Sequence, residues 1–314
     1  MFLLFPYRVD VPFNYRPVVN WLVIALVVLI FFVQITEINN AVKSQESVEE
    51  FMVNSITTQY MLKGLSIKGL IGHMWLHGGI LHFLGNMLFL WLFGNAVCSK
   101  IGNLYYLPVY LFLGTMAGLT HLLFSDQPAI GASGAINGLV GMYLVFFPEN
   151  SISCFFCFIF WFWRPIWFSL RSLWMILLWF AFDIYGALKG HGGVAYFAHI
   201  GGFITGFGLA ILMLKTKMIV MERDEKSILE LVGLDKKEKH NIYREDLMSW
   251  QEELENTKIK EPEQETMPPE PIEEPKQYIH LRCKCGQRIR IPSQHAGKIG
   301  KCPRCDAKWK IPEF

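Results

Sequence analysis

Long apolar runs separated by short polar ones occupy the first two thirds of the chain, and six of them approach the roughly 20 residues a helix needs to cross a bilayer. They fall near 19–36, 77–97, 104–124, 133–148, 168–186 and 194–214. This pattern predicts an all-α polytopic membrane protein with six spans. Beyond Lys217 the character turns polar and charged, with short amphipathic stretches near 222–234 and 244–256, where Leu247, Trp250 and Leu254 share a helix face. The following Lys258 to Lys276 is rich in Glu and Pro and reads as a flexible spacer. Structure resumes from Tyr278 to Phe314. The domain boundaries this implies are a membrane domain over 1–216, a cytoplasmic linker over 217–277 and a small C-terminal module over 278–314.

Composition agrees with the pattern. A chain of 314 residues with 52% hydrophobic and 15% aromatic side chains is too apolar for a soluble two-domain protein. The formal net charge of +2 is less informative than where the charges lie. Arg8, Arg16, Lys100, Arg164, Arg171, Lys215, Lys217 and Arg223 fall on one set of loops, and only Lys43, Lys63, Lys68 and Lys189 on the other. The basic side marks the cytoplasm, so both termini are expected there, in a multi-pass protein of a bacterial cytoplasmic membrane. Gln34, Thr36, Glu37 and Asn39 follow the first run in place of a small-residue cleavage site, which favours an uncleaved helix. The loop over 37–70 is left open between a free loop and a partly embedded cap. Ser151 to Trp167 is crowded with Phe and Trp and reads as an interfacial strand or re-entrant segment; its Cys154-xx-Cys157 pair lacks the βαβ context of a redox motif.

Against this apolar background a few polar side chains stand out. His82 and Asn86, four residues apart, share one face of span two; Ser133 opens span four within Gly131-Ala132-Ser133-Gly134-Ala135; His199 lies near the start of span six. With the topology above, all four fall at one depth just below the outer surface. Taken singly, each has a plain reading: a helix N-cap for Ser133, interhelical glue for Asn86, core histidines for His82 and His199. Gathered at one level, polar groups that are costly in hydrocarbon mark a functional site. Glycines are dense on the two helices that carry Ser133 and His199, at Gly134, Gly138 and Gly141 and at Gly201, Gly202, Gly206 and Gly208, so close backbone approach would bring hydroxyl and imidazole together. Ser133 would then be a nucleophile and His199 its general base and acid, with His82, Asn86 and the Ser133 backbone N–H as oxyanion donors. No Asp or Glu is read at the same depth, which makes the pair a dyad. Gly131, Gly134 and Gly202 are expected to support the site, and His77 to hold the outer loop. His73, His121 and His191 are read as interfacial or loop residues, and Cys98 as packing.

His77-xxxx-His82-xxx-Asn86, Gly131-Ala132-Ser133-Gly134-Ala135 and Ala198-His199-Ile200-Gly201-Gly202-xxx-Gly206 resemble the signature motifs of the rhomboid family of intramembrane serine proteases. The resemblance covers about residues 1–216 and implies a six-helix bundle with a water-filled cavity open to the outside. It also implies a Ser133/His199 dyad that needs no cofactor and cuts transmembrane protein substrates near the outer ends of their helices. Two positions depart from the pattern: Asn137 stands where many members carry an aromatic ring, and a Trp-Arg pair of the first outer loop is missing. The alternative is a catalytically silent rhomboid-like scaffold that binds transmembrane helices, against which the intact Ser133 and His199 weigh. A transporter would fit the hydropathy alone, but no pair of broken half-helices suggests an inverted repeat.

The C-terminal module carries Cys283-Lys284-Cys285 and, further on, Cys302-Pro303-Arg304-Cys305. Four thiols so spaced match a tetrahedral structural zinc site, and so short a segment needs a metal to fold. Disulfides are the rival, disfavoured in a reducing cytoplasm. The module resembles a β-rich zinc ribbon. Its basic residues suit a protein-docking or solvated face, and no nucleic-acid role is assigned to them.

Overall fold

A computed structural model describes residues 2–13, 15–45, 47–158, 162–190, 193–222, 225–235, 278–285, 287–302, 305 and 307–312. They belong to two compact units, Met1–Lys239 and His240–Phe314. The amphipathic stretch at 244–256 and the Glu/Pro-rich spacer lie outside the described residues.

The first unit opens with strand β1 (Phe2–Val9) and the long apolar helix α1 (Val18–Ser44). The loop that the sequence leaves open then folds into three short helices, α2 (Val48–Asn54), α3 (Ile56–Tyr60) and α4 (Ile67–Gly72). Each begins at a serine, Ser47, Ser55 or Ser66, whose hydroxyl accepts from the backbone N–H three residues on. Helix α5 (Ile80–Phe89) continues through a π-turn over Leu90–Gly94 into α6 (Asn95–Ile101). At that turn Asn20 of α1 donates to the Leu90 carbonyl at 3.0 Å and to Asn95 Oδ1 at 2.8 Å, while Tyr106 of α7 (Asn103–Phe124) donates its hydroxyl to Asn20 Oδ1 at 2.6 Å. Three apolar helices are thus tied by one buried, mutually paired polar knot, which avoids the cost of unsatisfied groups away from water.

Helix α8 (Ser133–Phe146) has 14 residues and every one except Ser133 and Asn137 is buried. At 1.5 Å per residue it is about 21 Å long, short of the roughly 30 Å of a hydrocarbon core, so protein rather than lipid surrounds it. Helices α9 (Ser172–Lys189) and α10 (Tyr196–Lys215) complete the bundle, and the most extensive helix–helix interface is that of α8 with α10. Among the described residues, α1, the α5–α6 composite, α7, α9 and α10 are long and apolar enough to cross a membrane, and α8 is a sixth, shorter apolar helix.

The unit is not all-α. The aromatic run after α8 forms β2 (Ser151–Phe158) and β3 (Phe162–Arg171), which join β1 in an antiparallel sheet of order β1-β2-β3. Its register sets Phe5 opposite Phe155 and Phe155 opposite Trp167, and the three rings pack at 5.4 Å spacings. Burial alternates along Ser151-Ile152-Ser153-Cys154-Phe155, with Ile152 and Cys154 turned inward, which is the two-residue period of a half-buried strand. The compact unit also extends beyond the expected boundary at 216. Glu225 forms a buried ion pair with Lys100, Ser227 caps α11 (Ile228–Leu231), and Leu229 is buried with this short helix against α8. A cavity of about 580 Å³ is lined by Arg8, Arg16, Trp21 and Trp91 and by neither Ser133 nor His199.

In the second unit β4 (Tyr278–Arg282) pairs with β5 (Arg288–Pro292), and β6 (Ile299–Lys301) with β7 (Lys308–Lys310), giving two antiparallel hairpins.

Candidate active site

Ser133 is the first residue of α8, and its N-cap is Ala132, with no side-chain cap hydrogen bond. The hydroxyl is therefore not consumed as a cap. The N–H groups of a helix's first turn have no intrahelical acceptor and carry the positive end of the helix dipole, so the Ser133 N–H is a ready donor to a developing anion. Before it, Gly131 has φ +128, a region that favours glycine. A Cβ built there would stand 2.8 Å from His82 Nε2 and 3.6 Å from Ser133 Oγ. The missing side chain thus leaves one small space flanked by both groups. The Gly131 N–H is anchored on the His73 carbonyl at 2.8 Å, and Ala129 exchanges backbone hydrogen bonds with Leu62 of the helical cap, which fixes the approach to Ser133.

His82 stands on the first turn of α5, where the Gly78 N–H donates to its Nδ1 at 3.4 Å. That bond assigns the ring proton to Nε2, the nitrogen beside Gly131. Asn86 is buried one turn on and donates through Nδ2 to the His82 carbonyl at 2.8 Å, so one of its two N–H groups serves the helix. Asn137 likewise donates to the Ser133 carbonyl at 3.0 Å.

The glycines of α8 and α10 interlock. A Cβ on Gly202 would meet the Gly134 carbonyl and one on Gly206 the Gly138 carbonyl, while a Cβ on Gly134 would lie 3.5 Å from the Ala198 Cβ. The two backbones therefore meet at residues 134 and 202 and at 138 and 206, with the Ala198 side chain lying against Gly134, so the contact reaches the immediate neighbours of Ser133 and His199.

One expectation needs correcting. An acid does lie at this depth: Asp183 of α9 places Oδ1 3.0 Å from His199 Nδ1, with the two side chains 17% and 14% exposed. It lies inside the apolar run at 168–186, where a lone carboxylate is itself the signal in the sequence. The ring of Tyr196 meets that of His199 edge-on at 6.2 Å.

His77 bonds helix α1 rather than the outer loop, and does so through its backbone: its N–H donates to Gln34 Oε1 at 3.1 Å, and its ring packs edge-on against Phe31 and Phe83. His73, in the turn after α4, and His121 of α7 are buried and bonded to the carbonyls of Gly69 at 2.9 Å and Gln127 at 2.8 Å. His191 lies outside the described residues. Cys98 is buried, consistent with packing. Burial pushes the His77 imidazole down to about 4, with His82 acting in the same direction, and burial lowers His73 as well. An unfolded histidine takes up a proton near 6.5, so between there and about 4 the unfolded chain binds more protons than the folded one. Thermal stability in detergent is expected to be full above pH 6.5 and to fall on acidification through that window; His77→Phe should flatten the decline, and an unchanged slope would contradict it.

In the second unit the Sγ atoms of Cys283, Cys285, Cys302 and Cys305 all lie within 4.8 Å of one another, with Cys283–Cys305 at 3.6 Å and Cys285–Cys302 at 3.7 Å. A disulfide would need about 2.05 Å. Four thiolates each about 2.3 Å from a tetrahedral zinc are about 3.8 Å apart, so the set fits a metal ion.

Residues 65–216 match the family model described as a rhomboid domain. The chain is 31% identical over 203 residues to Rhomboid protease GluP of Bacillus subtilis (strain 168), covering 62% of this chain and 34% of that protein. RHOMBOID-like protein 2 of Arabidopsis thaliana is 34% identical over 146 residues, 46% of this chain and 42% of its own. RHOMBOID-like protein 6, mitochondrial, from the same plant is 33% identical over 151 residues, 46% of this chain and 43% of its own. The chain thus spans about a third to two fifths of the length of these curated relatives. The matched region contains the helix pair locked at Gly134 and Gly202, the space at Gly131 and the serine, histidine and asparagine around it; residues 65–216 of the chain thus carry a rhomboid domain.

Proposed function

We propose that the chain is an intramembrane serine endopeptidase with six membrane spans, α8 being the sixth, that hydrolyses peptide bonds near the outer ends of substrate transmembrane helices. The observation that carries this reading is the space at Gly131, flanked by Ser133 Oγ and His82 Nε2, beside a helix contact adjacent to both Ser133 and His199. A substrate carbonyl oxygen in that space would meet the His82 Nε2–H and the Ser133 N–H, with the remaining N–H of Asn86 nearby on the His82 helix. Ser133 Oγ attacks the carbonyl carbon as its proton passes to His199 Nε2, the nitrogen that the Asp183 contact leaves available. The anionic oxygen is held by those donors. Collapse breaks the C–N bond, the proton passes from His199 to the leaving amine, and water activated by the same base releases the acyl group and restores the hydroxyl.

The test is a reporter whose transmembrane segment carries helix-weakening residues, expressed with the chain and with Ser133→Ala and His199→Ala. Cleavage that requires both residues supports the reading. Cleavage indifferent to both would sink it.

For the tail, the proposal is a zinc ribbon in the cytoplasm, with Cys283, Cys285, Cys302 and Cys305 as ligands and a protein as partner. The purified full chain is expected to carry about one zinc, by elemental analysis. Cys302→Ser should lose it while leaving the membrane unit's thermal transition in place, and retention of a full equivalent would refute the ligand set.

A further inference from the structure

Three contacts run in register along α9 and α10. The rings of Phe180 and Phe203 stack at 4.3 Å, Asp183 Oδ1 meets His199 Nδ1 at 3.0 Å, and Gly186 lies under the ring of Tyr196, where any Cβ would collide with it. On α9 the partners are spaced by three residues, and on α10 by four and three, so each set lies along one helix face. The carboxylate is therefore clamped one turn above and one turn below its contact with the imidazole. An acid in an apolar helix is expensive to keep unless it is paired, and here its partner is the proposed base.

From this register we infer that Asp183 is a positioning residue for His199, which makes the constellation Ser133–His199–Asp183 rather than a dyad; the inference rests on the protease reading above. By accepting the Nδ1 proton, Asp183 fixes the tautomer in which Nε2 is the basic nitrogen. As Nε2 takes up the Ser133 proton, the carboxylate remains ionised and stabilises the imidazolium without accepting a proton itself. It also takes over the orienting task for which Asn137 offers no ring, because Asn137 turns back to the Ser133 carbonyl.

The titratable groups set around the imidazole are Asp183 from α9, His82 from α5 and Tyr196 from α10 itself, while Thr120 of α7 packs against Gly201 two residues on and α8 approaches through Gly134, next to Ser133. Among these Asp183 is the acid. In Asp183→Asn, kcat for reporter cleavage is expected to fall by about 100- to 10,000-fold with little change in KM. The acid limb of its pH profile should move to lower pH, because imidazolium loses its anionic partner. Asp183→Glu, which keeps the carboxylate, should recover part of the rate. Independently of cleavage, 15N shifts of labelled histidine should show the His199 proton on Nδ1 in the unmutated chain and a changed tautomer balance in Asp183→Asn.

A kcat and acid limb unaltered in Asp183→Asn, while Ser133→Ala is inactive, would overturn the positioning role and leave the protease reading standing. A reporter cut equally by Ser133→Ala would fail that reading instead, and the tautomer measurement would still decide whether Asp183 orients the ring.

Discussion

Ser133→Ala and His199→Ala are each expected to lower reporter cleavage by roughly 10,000-fold or more, to the background of the assay, and the double variant to lose no more than either alone. Groups that act on one proton transfer are strongly non-additive, because removing either halts the same step. His82→Ala should be milder, about 100- to 1,000-fold, since it removes one of the proposed oxyanion donors and leaves the Ser133 N–H. Asn86→Ala should fall between His82→Ala and the unmutated chain, because one of its N–H groups already serves the His82 carbonyl. Time courses of the cleaved reporter at saturating substrate would rank the four single variants and the double one. An Asn86→Ala defect larger than that of His82→Ala would mean that the donors around the Gly131 space are misassigned.

Gly202→Val is expected to destabilise the bundle by about 3 kcal/mol or more and to abolish cleavage with it. The added Cβ would fall on the Gly134 carbonyl and lie 3.3 Å from the Gly138 N–H nitrogen. Those are backbone atoms of a helix buried on nearly all sides, so nothing flexible can yield, and overpacking of this kind costs about 1–3 kcal/mol even where side chains can shift. Gly208 supplies the control. Nothing lies within 4 Å of its Cβ position, and Gly208→Ala should be neutral or gain up to about 1 kcal/mol from helix propensity. Thermal melting in detergent would separate the two, and equal midpoints would remove the α8–α10 contact as the feature that holds Ser133 beside His199.

That contrast also marks the reach of the sequence. Glycine density on two helices was visible, and so were the helices themselves, because apolar length and a few costly polar residues leave a strong trace. What spacing could not do was sort Gly202 and Gly206, which touch backbone, from Gly208, which touches nothing. Asp183 escaped for a related reason: its meaning depends on a neighbour sixteen positions away on another helix, and only the register of Phe180, Asp183 and Gly186 against Phe203, His199 and Tyr196 reveals it. The sheet was concealed by composition. Phe and Trp suit both an interfacial segment and a strand, and the pairing of β2 with β1 joins residues about 150 apart, a contact that local pattern does not carry. The cap helices were legible in part, since Ser47-Val48-Glu49-Glu50 has the form of a capping box, and the donors that close it are local.

The brevity of α8 has a consequence for how the site responds to its surroundings. Lipid thickness acts on helices that face lipid, by tilting them or straining the bilayer around their ends. Because α8 is sheathed by its neighbours, Ser133 sits at a height dictated by Gly134, Gly138 and Gly141 against α10 and not by hydrophobic matching. Membranes of different thickness should therefore change how a substrate helix is presented far more than they change the geometry that receives it.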